Sequence, residues 1–397
     1  MASLVARLLP SSADAIPAAT VIAGSARERL LKTAVGLVEG RNQIAAAATM
    51  VSATAPAILD GNGIDQHVLL KGSASRPGER VPRRFLEAID GLSQQPWPEH
   101  SSGRLELADR VLDAANPLAS RVIVNRIWHH LFGRGLVATP DNFGKLGEQP
   151  SDTTSQAILD SLAVRFRAEG WSIKRLVKEI VTSSTWRMSS RRDPRAAAQD
   201  PLNLLLHHYP LRRLEAEAIH DKILALSGRL DRTIGGPSVE VFLTEAHDGR
   251  GKPPSGPLDG GGRRSIYTKI RRNFLPSFLV AFDLPTPFQA MGMRNVTNVP
   301  AQSLSLMNDP FVNQQATLWA KKWLNDETLT THDRIDRMYR DAFARPPRSD
   351  EEAAAVEFLA AQAQQHGGTI AAQPWQLAAW SDFAHAMINA KEFIFIP

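Results

Sequence analysis

The stretch Arg121–Asp141, RVIVNRIWHHLFGRGLVATPD, decides the fold class. Val124, Ile127, Trp128 and Leu131 recur at intervals of three and four, the spacing that lines one face of an α-helix, and Gly133 ends the run. The polar residues take the remaining stripes. Arg121, Asn125 and His129 fall at i, i+4 and i+8, with Arg126 and His130 beside them. Gly133 and Gly135 then turn the chain and deliver Arg134, Thr139, Pro140 and Asp141.

The same period recurs on both sides. Leu105, Ala108, Val111 and Leu112 predict an amphipathic helix stopped by Asn116-Pro117. Ile158, Leu162 and Phe166 predict a helix ending at Gly170, and Ile173, Leu176, Val177, Ile180 and Val181 predict the next. Leu211 to Leu230 reads as a long fifth helix, and Ser349 with Glu352 as a capping box opening another. Ala26 to Ala48 is a weaker helix, interrupted by Gly36 and Gly40. Strand signals are few: residues 64–72, and Ser265 to Ile270, where Ile266, Thr268 and Ile270 alternate with Tyr267 and Lys269. Residues 244–263 are a Gly/Pro-rich loop. The expected fold is therefore mainly α: a multi-helix domain with a few short strands and long Gly/Pro-rich loops, plus a small N-terminal segment.

Pro96, Pro98 and Gly103 mark a linker, so a boundary is expected near Gly91. Residues 1–91 read as an Ala-rich segment with a short strand region, the remnant of a preceding domain. Residues 92–397 form the helical domain. Within it, 321–397 is an acidic helical subdomain with 8 basic against 11 acidic side chains.

Composition excludes whole classes of chemistry. The 397 residues contain no cysteine, which rules out disulfides, thiolate zinc sites, iron–sulfur clusters, cysteine nucleophiles and covalently attached haem c. No cofactor is expected in this chain. The net charge is +5, and of 46 basic residues 11 are Lys and 35 Arg. Arginine grips carboxylate, sulfate or phosphate bidentately, although codon usage in a GC-rich genome gives the same excess. No apolar run approaches the ~18 residues of a spanning helix, and MASLVARLLPSSADA is not a good signal peptide. The chain reads as not exported by this N-terminus, or as a fragment whose signal lay upstream.

Three loci carry candidate chemistry. At the first, His129, His130, Arg126, Arg134 and Asp141 are catalytic candidates, while Arg121 and Asn125 suit a polyhydroxylated ligand or, equally, buried bonds to loop backbone. At the second, Glu217, His220 and Asp221 share a helix face. A di-iron site needs a second Glu-x-x-His, which is missing, so a solvated or ion-paired face is expected and no metal ligand is assigned. The third, RRSIYTKIRRN (Arg263–Asn273) with Arg294-Asn295, is the densest positive patch. Its binding candidates are Arg271, Arg272, Asn273, Arg294 and Asn295, which either hold an anionic polymer or pair with the acidic C-terminal subdomain. One aromatic, Tyr267, and no nucleic-acid motif rank nucleic acid last. G-x-S-x-G, P-loop and H-E-x-x-H patterns are absent.

Several long stretches resemble the domain of unknown function 1553 family of planctomycete-type proteins: NPLASRVIVNRIWHHLFGRGLVATPDNFGKLGE (Asn116–Glu148), GWSIKRLVKEIVTSSTWRMSS (Gly170–Ser190), RRLEAEAIHDKILALSGRLDRTIGGPS (Arg212–Ser238), RRSIYTKIRRNFLPSFLVAFDLPTP (Arg263–Pro287), RNVTNVPAQSLSLMNDPFV (Arg294–Val312) and RPPRSDEE (Arg345–Glu352). The resemblance covers roughly Ile64 onward. It implies a mainly helical domain with no established reaction, usually exported. Such domains follow another domain and often an upstream c-type cytochrome, in a gene neighbourhood suggesting breakdown of sulfated or complex polysaccharide. One departure is that the family's usual His-Pro after Gly-Glu-x-Pro-Ser is replaced here by Asp152-Thr153-Thr154.

The expected function is a non-catalytic binding or assembly module of an exported, polysaccharide-related bacterial system, whose cleft of Arg, Asn and His grips an anionic or polyhydroxylated partner. An anionic polysaccharide and an upstream cytochrome c or other domain supplied elsewhere are the expected partners. The rival is a hydrolase or lyase on complex or sulfated polysaccharide with His129 or His130 as general base.

Overall fold

The computed structural model describes residues 32–41, 43, 57–61, 63–143, 147, 150, 152–245, 247, 249–288, 290–368 and 375–396. The chain divides into two compact units, Met1–Leu59 and Asp60–Pro397. In the first, residues 32–41 are helical, within the expected Ala26–Ala48; the rest of that expectation, residue 43 apart, lies outside the described residues. About 51% of the chain is helical, as the periodicity predicts.

The second unit opens with a hairpin, β1 (Gln66–Leu69) and β2 (Pro77–Val81), antiparallel with Gln66 opposite Val81. Arg83 ties the hairpin to the segment leading into the helices, pairing with Asp65 at 3.1 Å and donating to the Ser101, Gly63 and Pro98 carbonyls. Then come α1 (Glu87–Asp90) and α2 (Arg104–Leu112). The expected apolar face of α2 is not buried here: Leu105 is 71% and Leu112 57% exposed. Spacing gave the helix but not a partner for it.

The first core is built by α3 (Leu118–Phe132), α4 (Thr153–Ala168) and α5 (Ile173–Thr182). Val124, Trp128 and Phe132 of α3 pack with Leu159, Leu162, Phe166, Leu176, Ile180 and Tyr209. Asp152 caps α4 by accepting from the Thr154 and Ser155 amides at 2.7 and 2.9 Å. After α6 (Pro194–Gln199) the chain reaches β3 (Arg212–Arg213) and α7 (Ala216–Ser227). The expected helix over Leu211–Leu230 is thus shorter at both ends. Arg212-Arg213 pair antiparallel with Phe395-Ile396, and the Leu214 amide donates to the Ile394 carbonyl at 2.7 Å, so these residues are held extended.

The second, larger core includes α7. It draws on α8 (Ser277–Ala281), α9 (Pro300–Asn308), α10 (Pro310–Leu324), α11 (Thr331–Phe343), α12 (Ser349–Gln365), α13 (Trp375–Asn389) and α14 (Lys391–Ile394), which leads into β4 (Phe395–Ile396). Ile219, Ile223, Trp319, Met338, Leu359, Trp380 and Phe393 are sealed from solvent there. Two helix starts differ from the sequence signal. The α12 cap is Arg348, whose amide donates to Glu351 Oε2 at 2.8 Å, rather than a Ser349–Glu352 box. Ser265–Tyr267 is a 3-10 turn, not a strand, and only Thr268 makes a β-bridge, with Val239.

Candidate functional site

The polar stripe of α3 has two fates. Asn125 is fully buried, and its amide donates to the Val137 carbonyl and accepts from the Val137 amide, both at 2.9 Å. It copies a backbone partner for the turn after Gly133. Gly135 has to be glycine, because a Cβ there would collide with the Val137 carbonyl and the Asn125 amide. Arg121 pairs with Asp160 of α4 at 2.6 Å, in a shallow pocket with Arg167. Arg126, His130, Arg134 and Asp141 are exposed. The Asp141 side chain lies against Gly292, where no Cβ would fit.

His129 is half-buried at the end of α3, and its Nδ1 is buried with no hydrogen-bond partner. Burial, then the charges of His130 and Arg212, push its imidazole below the usual histidine range, against the pull of Glu215. Arg212 reaches the His130 carbonyl at 2.5 Å. Glu215 in turn lies 3.7 Å from Arg294, which is held bidentately by Glu217 at 2.6 and 3.0 Å. The loop carrying Arg294 is anchored by Arg213, which pairs with Asp283 at 2.6 Å and donates to the Thr297 carbonyl at 2.6 Å. Glu215 thus lies beside Arg294, and its charge is felt at His129. The structure leaves Arg121 with Asp160, and Arg271 with Glu240 at 2.9 Å, in separate ion pairs. Arg272, Asn273 and Asn295 are exposed.

A different group of side chains meets in a pocket of about 80 Å³. Its walls come from α7, the 239–244 and 256–268 loops, the start of α8 and the start of α10. His220, one α-turn along from Glu217, faces Ser265, with Nδ1 3.0 Å from Oγ. Asp221 accepts from the Ser265 amide at 2.7 Å and from Arg264 at 3.3 Å. The face of Glu217, His220 and Asp221 is thus divided between Arg294 and the 264–265 turn. This is the ion-paired face that their spacing suggested. Among the described residues, no group of three or more His, Asp or Glu is placed to hold a metal.

The His220 ring lies flat on Phe311, 4.2 Å between centroids and 6° between planes. Asp309 caps α10 by accepting from the Phe311 amide at 2.9 Å. Burial raises its carboxyl above the ordinary aspartate range, more than that amide and His220 lower it. Asp221 goes the other way: burial works against its charged form, but bonds from His220, Ser265 and Arg264 outweigh it. Glu240 also lines the pocket and is held ionised by Arg271 and then Lys269. Gly256 lets the opposite wall close, since a Cβ there would strike the Glu240 carbonyl. The floor is apolar, with Phe278, Leu279 and Phe311.

The sequence reading missed Ser265, Asp309 and Phe311. Asp309-Pro310 did carry a signal, a helix cap followed by Pro at the first helical position. Ser265 carried none, because it sits between arginines inside an alternating run.

The model of one protein family, described as PSD1, a protein of unknown function (DUF1553), matches residues 103–359. The chain belongs to this family. Every pocket residue, together with His129, Arg271 and Arg294, falls inside the DUF1553 span, whereas α13, α14 and β4 lie beyond it. No curated protein and no solved structure matches the chain.

Proposed function

We propose that this DUF1553 chain is a binding module for a polyhydroxylated ligand, seated in the pocket beside His220, Ser265 and Asp309. The observation that carries this reading is the convergence of those three polar groups over an apolar floor. Paired hydroxyls of a sugar match such a wall, because Ser265 and His220 each donate or accept and Asp309 accepts when ionised. The charge pattern favours a neutral sugar over a sulfated one. Glu240 and Asp309 line the pocket, Arg271 is paired with Glu240 and Arg264 with Asp221, and no arginine is among the lining residues. We place the module in an exported, polysaccharide-related bacterial system, the setting the family resemblance implies, beside an upstream domain supplied elsewhere. Calorimetry against neutral and sulfated oligosaccharides tests this. Neutral ligands should bind, and Ser265→Ala should weaken them about tenfold, the loss of one hydrogen bond. Binding of sulfated chains alone, or binding unmoved by Ser265→Ala, overturns it.

A second reading is ester hydrolysis on an acylated sugar, favoured by the 3.0 Å contact between Ser265 Oγ and His220 Nδ1. Ser265 Oγ attacks the ester carbonyl carbon as its proton passes to His220. The carbon–oxygen bond to the leaving alcohol then breaks, and that alcohol takes the proton. Water frees the acyl-serine by the same relay. Turnover of p-nitrophenyl acetate that vanishes in Ser265→Ala, with circular dichroism unchanged, supports it; equal turnover in that variant refutes it.

A further inference from the structure

Between α6 and β3 the chain makes a tight turn at residues 200–208. Asn203 and Leu206 both hold φ at 53°, a left-handed conformation that a leucine adopts only under constraint. The constraint is a ring of bonds around Asp200. Its carboxylate accepts from the Leu204 and Leu205 amides at 2.9 and 2.8 Å, and its carbonyl meets His207 Nε2 at 3.2 Å. Asn203 donates to the His208 carbonyl at 2.9 Å. A carbonyl only accepts, so His207 carries its proton on Nε2 and leaves Nδ1 as a lone pair. That nitrogen stands 3.2 Å from His208 Nδ1, with the rings 4.5 Å apart and inclined at 62°.

We propose that His207 and His208 form a two-imidazole site for a borderline divalent cation such as Zn²⁺. With zinc–nitrogen bonds of about 2.0–2.1 Å, nitrogens at this spacing subtend about 100° at the metal, close to the tetrahedral angle. The bond from Nε2 to the Asp200 carbonyl is the kind of outer contact that fixes the tautomer and orientation of a metal-bound histidine. The charged groups around the pair are Asp200, whose negative charge favours a cation, and Arg192, whose guanidinium is drawn to the Pro201 carbonyl at 3.2 Å. Both rings are half-buried, so water or a ligand oxygen completes the coordination and the cation exchanges freely. Tyr209 follows directly and donates to the Leu131 carbonyl at 3.0 Å, so a bound cation would brace this turn against the first core. The other adjacent pair, His129 and His130, has its rings 5.6 Å apart and serves as the control.

The test is calorimetric titration of the untagged full chain with ZnCl₂ near neutral pH. One zinc per chain is expected. His207→Ala and His208→Asn should each weaken it about tenfold or more, while His130→Ala leaves it unchanged, with circular dichroism of each metal-free variant matching the parent. A readout that needs no variant is the histidine nitrogen NMR spectrum, in which zinc should move the His207 and His208 Nδ1 signals. No zinc binding by the parent, binding that survives both substitutions, or shifts confined to other histidines overturns the proposal.

Discussion

Lys222 gives the sharpest electrostatic prediction. It projects from α7 under the C-terminal segment, where its ammonium donates to the Phe393 carbonyl at 2.8 Å and sits 4.1 Å over the Phe393 ring. Burial lowers its pKa from 10.5 to about 8, and the neighbouring Glu392 only partly opposes this. The sign depends on which state holds the proton more tightly. Below about pH 8 both folded and unfolded chains are protonated, and the folded state bears the full cost of the buried charge. Between about pH 8 and 10.5 the folded chain loses the proton first, so stability rises with pH through that window. The full shift integrates to about 2.5 kcal/mol between about pH 7 and 10, and solvent that still reaches the ammonium screens this to about 1–2 kcal/mol. Lys222→Met removes the titration and keeps the length of the side chain. Urea unfolding of parent and variant near pH 7 and near pH 10 isolates this contribution, because all other titrations cancel. The stability difference should move in favour of the parent by about 1–2 kcal/mol at the higher pH. A difference that stays constant across the two pH values refutes the reasoning.

Two further perturbations separate anchoring from function. Asn125→Ala strips both partners from Val137 inside the first core, and chemical denaturation should show a loss of about 2–4 kcal/mol; a loss under about 1 kcal/mol would mean water replaces the amide. Glu351 is held near a pKa of about 2, first by Arg345 and also by the Arg348 amide. Its stabilisation is present above about pH 4.5 and is lost as pH falls toward 2, so Arg345→Gln should flatten the acid limb of the stability curve by about 1 kcal/mol after solvent screening. An unchanged acid limb in that variant counts against the pair.

Legibility in the sequence tracks the range of the forces involved. The helix α3 and its stop at Gly133 are local, and both stand where the spacing of Val124, Ile127 and Trp128 placed them. Arg212 and Arg213 read as helical because nothing nearby betrays β4, which lies at the far end of the chain. The Ser265 turn fails as a strand for the same reason: its geometry is set by His220 and Asp221, residues on another element. The arginine loci were visible, but their acids were not, since Asp160, Glu240 and Glu217 become partners only on folding. The pocket is the extreme case, because no two of Ser265, Asp309 and His220 are neighbours in sequence.

The β3–β4 pairing also sets a timetable. Lys222 and Phe393 are 171 residues apart, so at ribosomal speeds the partner of the Lys222 ammonium is made roughly 10–35 s later. During that interval the first core has all its helices, while β3 waits for β4 and the Lys222 ammonium for the Phe393 carbonyl. The nascent chain therefore passes through a state in which β3 and the α7 ammonium exist long before the segment that pairs with them. Trimming the last few residues should leave β3 unpaired and the Lys222 ammonium without its carbonyl partner for good.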